Sequence, residues 1–155
     1  MKRGRGWLLG ATLALGSCVP ASPVFADGLK FGVRGGYYSK VDAAFAGAEL
    51  LVPVAHRFYF NPNFEYVFVS NGSYVTYNAD FHYDIAVDRP MYVWLGGGLG
   101  IVVDNPEGPD NTTTQAAANF LGGIGFRAGS VIPYFQAKVI AKENSVFSFA
   151  FGIRF

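Results

Sequence analysis

From residue 29 to the end of the chain, apolar and polar side chains alternate with period two. The stretch FSFAFGIRF, residues 147 to 155, shows this most plainly, with Phe147, Phe149, Phe151, Ile153 and Phe155 on every second position. Such alternation marks a strand with two unlike faces, whereas a helix repeats every 3.6 residues. No segment after residue 27 holds apolar residues at helical spacing over several turns, so the chain is predicted to be all-β. The pattern divides into eight strands: 29–37, 44–54, 57–69, 74–86, 91–102, 117–127, 131–140 and 145–155. Most connections are short, Asn71-Gly72 is a hairpin signal of the primed type, and DNPEGPDNTTTQ (104 to 115) is one longer loop.

Sorting each strand into its two faces separates the chemistry completely. One face carries Phe31, Val33 and Tyr37, then Ala44, Ala46, Ala48 and Leu50, then Phe58, Phe60, Phe64, Tyr66 and Phe68. It continues through Tyr77, Phe81, Tyr83, Leu95, Leu99, Phe120, Phe126 and Phe135 to the terminal alternating set, without a charged or amide side chain. The other face carries Lys30, Arg34, Glu49, Arg57, Asn61, Asn63, Glu65, Asn78, Asp80, His82, Asp84, Asn119, Arg127, Gln136, Lys138 and Arg154. A lipid exterior enforces such a separation, because a misplaced Arg or Lys costs roughly 2–4 kcal/mol at the bilayer midplane.

Alternation alone does not say which face points inward. A soluble barrel of the ligand-binding kind would turn the aromatic face into its bore, and a membrane barrel would turn it toward lipid. The small residues decide: Gly96, Gly98, Gly100, Gly123, Gly125, Ala150 and Gly152 all share the polar face. A bore of eight strands is just wide enough for side chains to fill it, so long side chains on one wall need small residues on the other. Crowding the many Phe, Tyr and Leu rings into that bore would overfill it. Ten residues at about 3.3 Å, tilted near 40°, also reach roughly the 25 Å height of an apolar membrane band. The expected fold is therefore an eight-stranded antiparallel up-and-down transmembrane β-barrel.

Composition supports this picture and narrows the function. Half of the 155 residues are apolar (51%), 17% are aromatic, only 15% are charged, and the net charge of +1 excludes the basic surface of a nucleic-acid binder. The first residues read as a secretory signal: Lys2, Arg3 and Arg5, an apolar run from Trp7 to Gly16, then small residues. Cleavage after Ala26 would leave a single barrel domain over 27–155; alternatively Leu15-Gly16-Ser17-Cys18 resembles a lipobox that would leave Cys18 lipidated. Cys18 is the one cysteine, so no internal disulfide can form.

The segments FYFNPNFEYVF, NADFHYDIAV, MYVWLGGGLGI and FSFAFGIRF resemble the small eight-stranded outer-membrane β-barrel domains, the OmpX-like and OmpA-like barrels. The resemblance covers essentially the whole chain after residue 26. It implies a Gram-negative cell envelope, both termini in the periplasm, three periplasmic turns and four surface loops. It also implies that Phe151, Ile153 and Phe155 belong to a signal read by the barrel-assembly machinery after delivery by periplasmic chaperones. Outer-membrane lipid and lipopolysaccharide are then the surrounding partners, and the protein is expected to be a monomer. The loops here are briefer than those of adhesive members.

Candidate chemistry is sparse. Some small barrels of this compartment deacylate lipid A with a His-x-Ser arrangement near a carboxylate, whereas this chain has His82-Tyr83-Asp84, with no serine at the matching position. His56 lies in a turn without a nucleophile beside it. Asp104, Glu107 and Asp110 offer hard oxygen ligands for a cation, but their spacing is not that of an EF-hand and equally suits an exposed loop. No cofactor is implied. The remaining feature is a balanced set facing the bore: Lys30, Arg34, Arg127, Lys138 and Arg154 against Glu49, Glu65, Asp80 and Asp84, with His82 among them. Paired side chains of this kind plug a barrel more readily than they open it. The expected role is structural or surface-interacting and non-enzymatic. A narrow ion or solute pore, a soluble periplasmic ligand-binding barrel and a membrane lipid hydrolase are the alternatives.

Overall fold

The structure, a computed structural model, describes residues 28–88, 90–106, 112–127 and 129–155. The segment read as a signal peptide, with Cys18, lies outside them. The described chain forms eight strands: β1 (Lys30–Tyr38), β2 (Ala43–Ala55), β3 (Phe58–Val67), β4 (Ser73–Asp88), β5 (Met91–Asn105), β6 (Thr113–Phe126), β7 (Ile132–Ala141) and β8 (Val146–Arg154). Each pairs antiparallel with its neighbour, and β1 pairs with β8 from Gly32↔Arg154 to Tyr38↔Ser148, which closes the barrel. Closure gives every strand two hydrogen-bonded neighbours, as a hydrocarbon surround requires, since no water is there to satisfy a free edge. The Phe155 N–H extends the seam by donating to the Phe31 carbonyl at 2.8 Å.

Burial follows the alternation strand by strand. The rings and branched chains of the apolar face point out of the barrel, with Phe151 58% and Leu99 70% exposed, while Arg34, Glu65, Asp80, His82 and Arg154 are buried inside. An arrangement with the rings converging on the axis is thus not what the chain adopts. Among the described residues no helix is long and apolar enough to cross a membrane.

The structure departs from the sequence reading in three places. β5 and β6 reach further than expected, because Val102↔Gln115, Val103↔Thr114 and Asp104↔Thr113 continue the ladder into the stretch read as loop. Thr113 and Thr114 are β-branched and sustain strand pairing where the abundance of polar residues argued for a turn. Asn71-Gly72 does not form a two-residue type I′ turn, which needs positive φ at both central residues. Gly72 alone of the two is left-handed (φ 81), inside a connection spanning 68–72. Arg57 does not face the bore: it stands exposed in the β2–β3 turn with φ 59, and its carbonyl accepts from the Asp84 N–H at 2.9 Å. Register shifts between Pro53 and Ala55 and between Asp84 and Ala86 mark bulges near the same end of the barrel.

Candidate functional site

The filled bore is the one place where the described residues concentrate buried chemistry, and it has three layers. At the end bearing the β1–β2, β3–β4, β5–β6 and β7–β8 connections, Tyr38, Phe45, Val67, Tyr74, Val102, Ile140 and Val146 pack with Ala43, Ala117 and Ala150 into an apolar cap. Tyr38 meets Phe45 and Tyr74 edge-on, with ring centroids 5.2 and 5.9 Å apart. Lys142 lies over this layer, with Nζ 3.4 Å from the Tyr74 hydroxyl.

Below the cap lies an ionic layer. Arg34 on β1 contacts Glu49 of β2 at 3.4 Å and also pairs with Glu65 and Asn63 of β3. Glu65 accepts in addition from the hydroxyls of Tyr38 and Thr76, so the cap and the ionic layer share Tyr38, its ring in one and its oxygen in the other. Lys138, from β7 across the bore, reaches Asp80 at 2.9 Å and Glu65 at 3.9 Å. Amides fill the remaining lone pairs: Asn63 and Asn119 donate to Asp80 at 3.0 and 2.7 Å, and Asn61 donates to Glu49 at 3.0 Å. A charge removed from water is tolerated only when it is paired and hydrogen-bonded, and each charge of this layer has its partner, with Arg34 Nε the one guanidinium nitrogen of that residue left without an acceptor.

The third layer, toward the termini, is aromatic and cationic. Arg154 on β8 donates through Nε to Glu49 at 2.6 Å and through Nη1 to the Tyr92 hydroxyl at 3.2 Å. Its guanidinium lies 4.2 Å from the centroid of Tyr134 and 5.1 Å from that of Trp94, the distances of cation–π stacking. His82 is enclosed between Tyr59 and Trp94, with centroids at 5.3 and 5.4 Å, and is 0% exposed. At the mouth, Arg127 covers the Tyr92 ring at 4.9 Å and stands 4.0 Å from Asp84, beside Lys30.

Of the sequence-selected set, Arg34, Glu49, Glu65, Asp80 and Lys138 thus meet in the central layer, Arg154 joins them from the layer below through Glu49, His82 and Asp84 lie beside it, and Lys30 and Arg127 stand half-buried at the opening. The inward aromatics Tyr38, Tyr59, Tyr92, Trp94 and Tyr134 were not singled out from the sequence. The signal that locates them is the glycines. Gly123 pairs with Trp94, and a Cβ there would come within 2.1 Å of the indole ring; Gly152 pairs with Tyr134, whose ring would be 2.4 Å away. Tyr92, which pairs with Gly125, follows the same rule, so three of these rings each lie over a cross-strand residue without a side chain, which lets an eight-stranded bore hold them; Tyr38 and Tyr59 have no such glycine.

The same geometry bears on catalysis. His82 is sealed inside the wall, 3.8 Å from Asp84, and among the described residues no hydroxyl lies within hydrogen-bonding distance of either imidazole nitrogen. A general base needs a proton to abstract within such reach, and a lipid outside the barrel is separated from it by the sheet. Asp104 lies near the end of β5, opposite Tyr74 and Thr113, while Glu107 and Asp110 lie outside the described residues. No cluster of three or more His, Cys, Asp or Glu able to hold a metal occurs among the described residues. Phe151 and Phe155 are exposed on the outer wall and Ile153 is half-exposed there.

No protein-family model and no curated protein matches the chain. Solved structures do. The chain is similar to the N-terminal β-barrel domain of Pseudomonas aeruginosa OprF, at TM-score 0.66 and 12% identity over 82% of this chain and 95% of that one. It is similar to Neisserial surface protein A at 0.63 and 11% identity, covering 81% and 95%. The outer membrane enzyme PagL follows at 0.54 and 12%, covering 81% and 97%. At such identities the likeness is one of fold: the chain has the fold of the small eight-stranded outer-membrane β-barrels.

Proposed function

We propose that this protein resides in the outer membrane as a monomeric barrel with a plugged bore, serving a structural or surface-interaction role without enzymatic activity. The observation that carries this reading is the filled lumen, in which a continuous ionic layer spans β1, β2, β3, β4, β7 and β8 beneath an apolar cap. A conducting pore needs a hydrated path, and here the side chains that would line one are spent on each other. The unbroken apolar outer wall matches a hydrocarbon surround, and the positively charged, then apolar N-terminal segment 1–26 matches export through a Sec-type signal peptide. Lipopolysaccharide and phospholipid are then its immediate neighbours. Periplasmic chaperones and the barrel-assembly machinery deliver it, reading Phe151, Ile153 and Phe155 at its end.

Membrane fractionation followed by gel migration with and without heating tests the placement. The expected result is recovery in the outer-membrane fraction with a heat-dependent shift in migration; a protein that stays soluble without detergent would overturn it. Planar-bilayer recording tests the plug, with no steady current expected from the wild-type protein.

A further inference from the structure

Proline is confined within sheets to edges, strand starts and bulges, because it has no N–H to give the ladder. Pro133 is the second residue of β7 and Pro53 adjoins the bulge of β2, so both obey that rule. Pro62 does not: it is the fifth of the ten residues of β3, between two neighbours, in a barrel that has no edge. The β2–β3 ladder shows the consequence. It runs from Phe45↔Val67 to Glu49↔Asn63 and resumes in the same register at Val52↔Phe60, without Leu50 and Leu51 pairing to Pro62 and Asn61. Among the described strands this is the one break in a ladder that involves no register shift.

The alternation of hydrogen-bonded pairs fixes which group is left over. The Phe68 N–H donates to the Ala44 carbonyl at 2.8 Å, and in steps of two along the same register Leu50 stands opposite Pro62 in a pair of that kind. The Leu50 carbonyl is therefore the acceptor that Pro62 cannot serve. Asn61 serves it instead. Its side-chain amide, buried on the bore side, reaches back to that carbonyl at 2.7 Å, and the same nitrogen lies 3.0 Å from Glu49 Oε2. One amide thus holds two successive residues of β2, the wall at Leu50 and the ionic layer at Glu49.

We propose that Asn61 is a latch that ties closure of the wall at mid-height to the ionic layer inside the bore. It supplies the donor that Pro62 withholds, and Glu49 orients it to do so. Arg34 and Arg154 in turn hold Glu49, so the latch depends on the ionic layer as a whole. When Glu49 no longer holds the amide, the Leu50 carbonyl loses its partner and the β2–β3 seam is the first to open. The wall has one preferred lateral opening, and its control sits within the plug. The latch needs only the closed wall, so it stands apart from the membrane placement.

Hydrogen exchange of the backbone amides, followed by NMR in detergent micelles, tests the latch. Asn61→Ala is expected to speed exchange at Leu50, Phe60 and Phe64, the amides nearest the break, about tenfold, which is near 1.4 kcal/mol of local opening. In a Pro62→Ala background, where the ladder has its donor back, the same change is expected to speed them by less than about twofold. Glu49→Ala is expected to speed these amides more than those of the β5–β6 ladder, and Pro62→Ala to remove that difference. No acceleration, equal acceleration in both backgrounds, or an equal rise along every ladder would each overturn the proposal. Pro62→Ala alone gives a reading that needs no destabilised protein, since it leaves the ionic layer intact. The Leu50 amide is then expected to exchange about threefold more slowly than in the wild type, and unchanged or faster exchange would sink the latch.

Discussion

The two ends of the bore solve the same packing problem with opposite chemistry. Toward the loops, Phe45, Val67, Val102, Ile140 and Val146 fill space with groups that ask nothing of their neighbours but contact. Toward the middle and the termini, Arg34, Glu49, Glu65, Asp80, Lys138 and Arg154 fill it with groups that each require a partner. The difference lies in how each region fails. A truncated cap side chain leaves a void whose cost scales with its size. A truncated ionic side chain strands the charge it held, and the stranded charge is costlier than the missing atoms.

That contrast is most exposed at Glu49, which serves Arg34, Arg154 and Asn61 at once. Glu49→Ala is expected to lower stability by about 3–5 kcal/mol, read as the midpoint of urea unfolding in detergent or vesicles. A loss no larger than that of a cap truncation would break the comparison. Ile140→Ala, in the cap, is expected to cost somewhat less, about 2–4 kcal/mol in the same measurement. Gly123→Val tests the ring-over-glycine pairing, because its Cβ would collide with Trp94. About 1–3 kcal/mol of destabilisation is expected, with a changed tryptophan emission spectrum as the ring is displaced.

Conductance sharpens the comparison further. If the cap and the ionic layer are separate barriers, Glu65→Ala alone produces no steady current, because the apolar cap still excludes water. Combining it with Phe45→Ser and Ile140→Ser is expected to produce one, and a steady current from Glu65→Ala by itself would show that the ionic layer is the sole seal. The smallest effect is expected at Lys142, which covers the Tyr74 ring at 5.5 Å from outside the cap. Lys142→Ala should change the unfolding midpoint by no more than about 0.5–1 kcal/mol, and less in high salt.

Much of this was legible in the residues. Strict alternation assigns every strand residue to a face, because the strand period of two admits only two choices. The glycines on the polar face then choose which side is inward, since only a narrow bore rewards the absence of a side chain among long ones. The limits of β5 and β6 were less legible: Thr113, Thr114 and Gln115 are polar enough for a loop, yet they pair with Val102, Val103 and Asp104 once the neighbouring strand is beside them. Alternation places Arg57, one residue before Phe58, on the bore face, and only the left-handed geometry of the turn brings it outward.

Within the bore the division is clear. The amino-acid order by itself determined an all-β chain with one lipid-suited face and one ionic face, because that follows from short-range periodicity and from the cost of placing charge in hydrocarbon. Tertiary structure decided which carboxylate meets which cation, that Trp94 and Tyr134 stack with Arg154 while Tyr92 accepts a hydrogen bond from it, each ring beside a cross-strand glycine, and that the cap is apolar where the layer beneath it is not. Those outcomes depend on the stagger of eight strands around a closed ring, which sets residues far apart in sequence at one height and which no local pattern encodes.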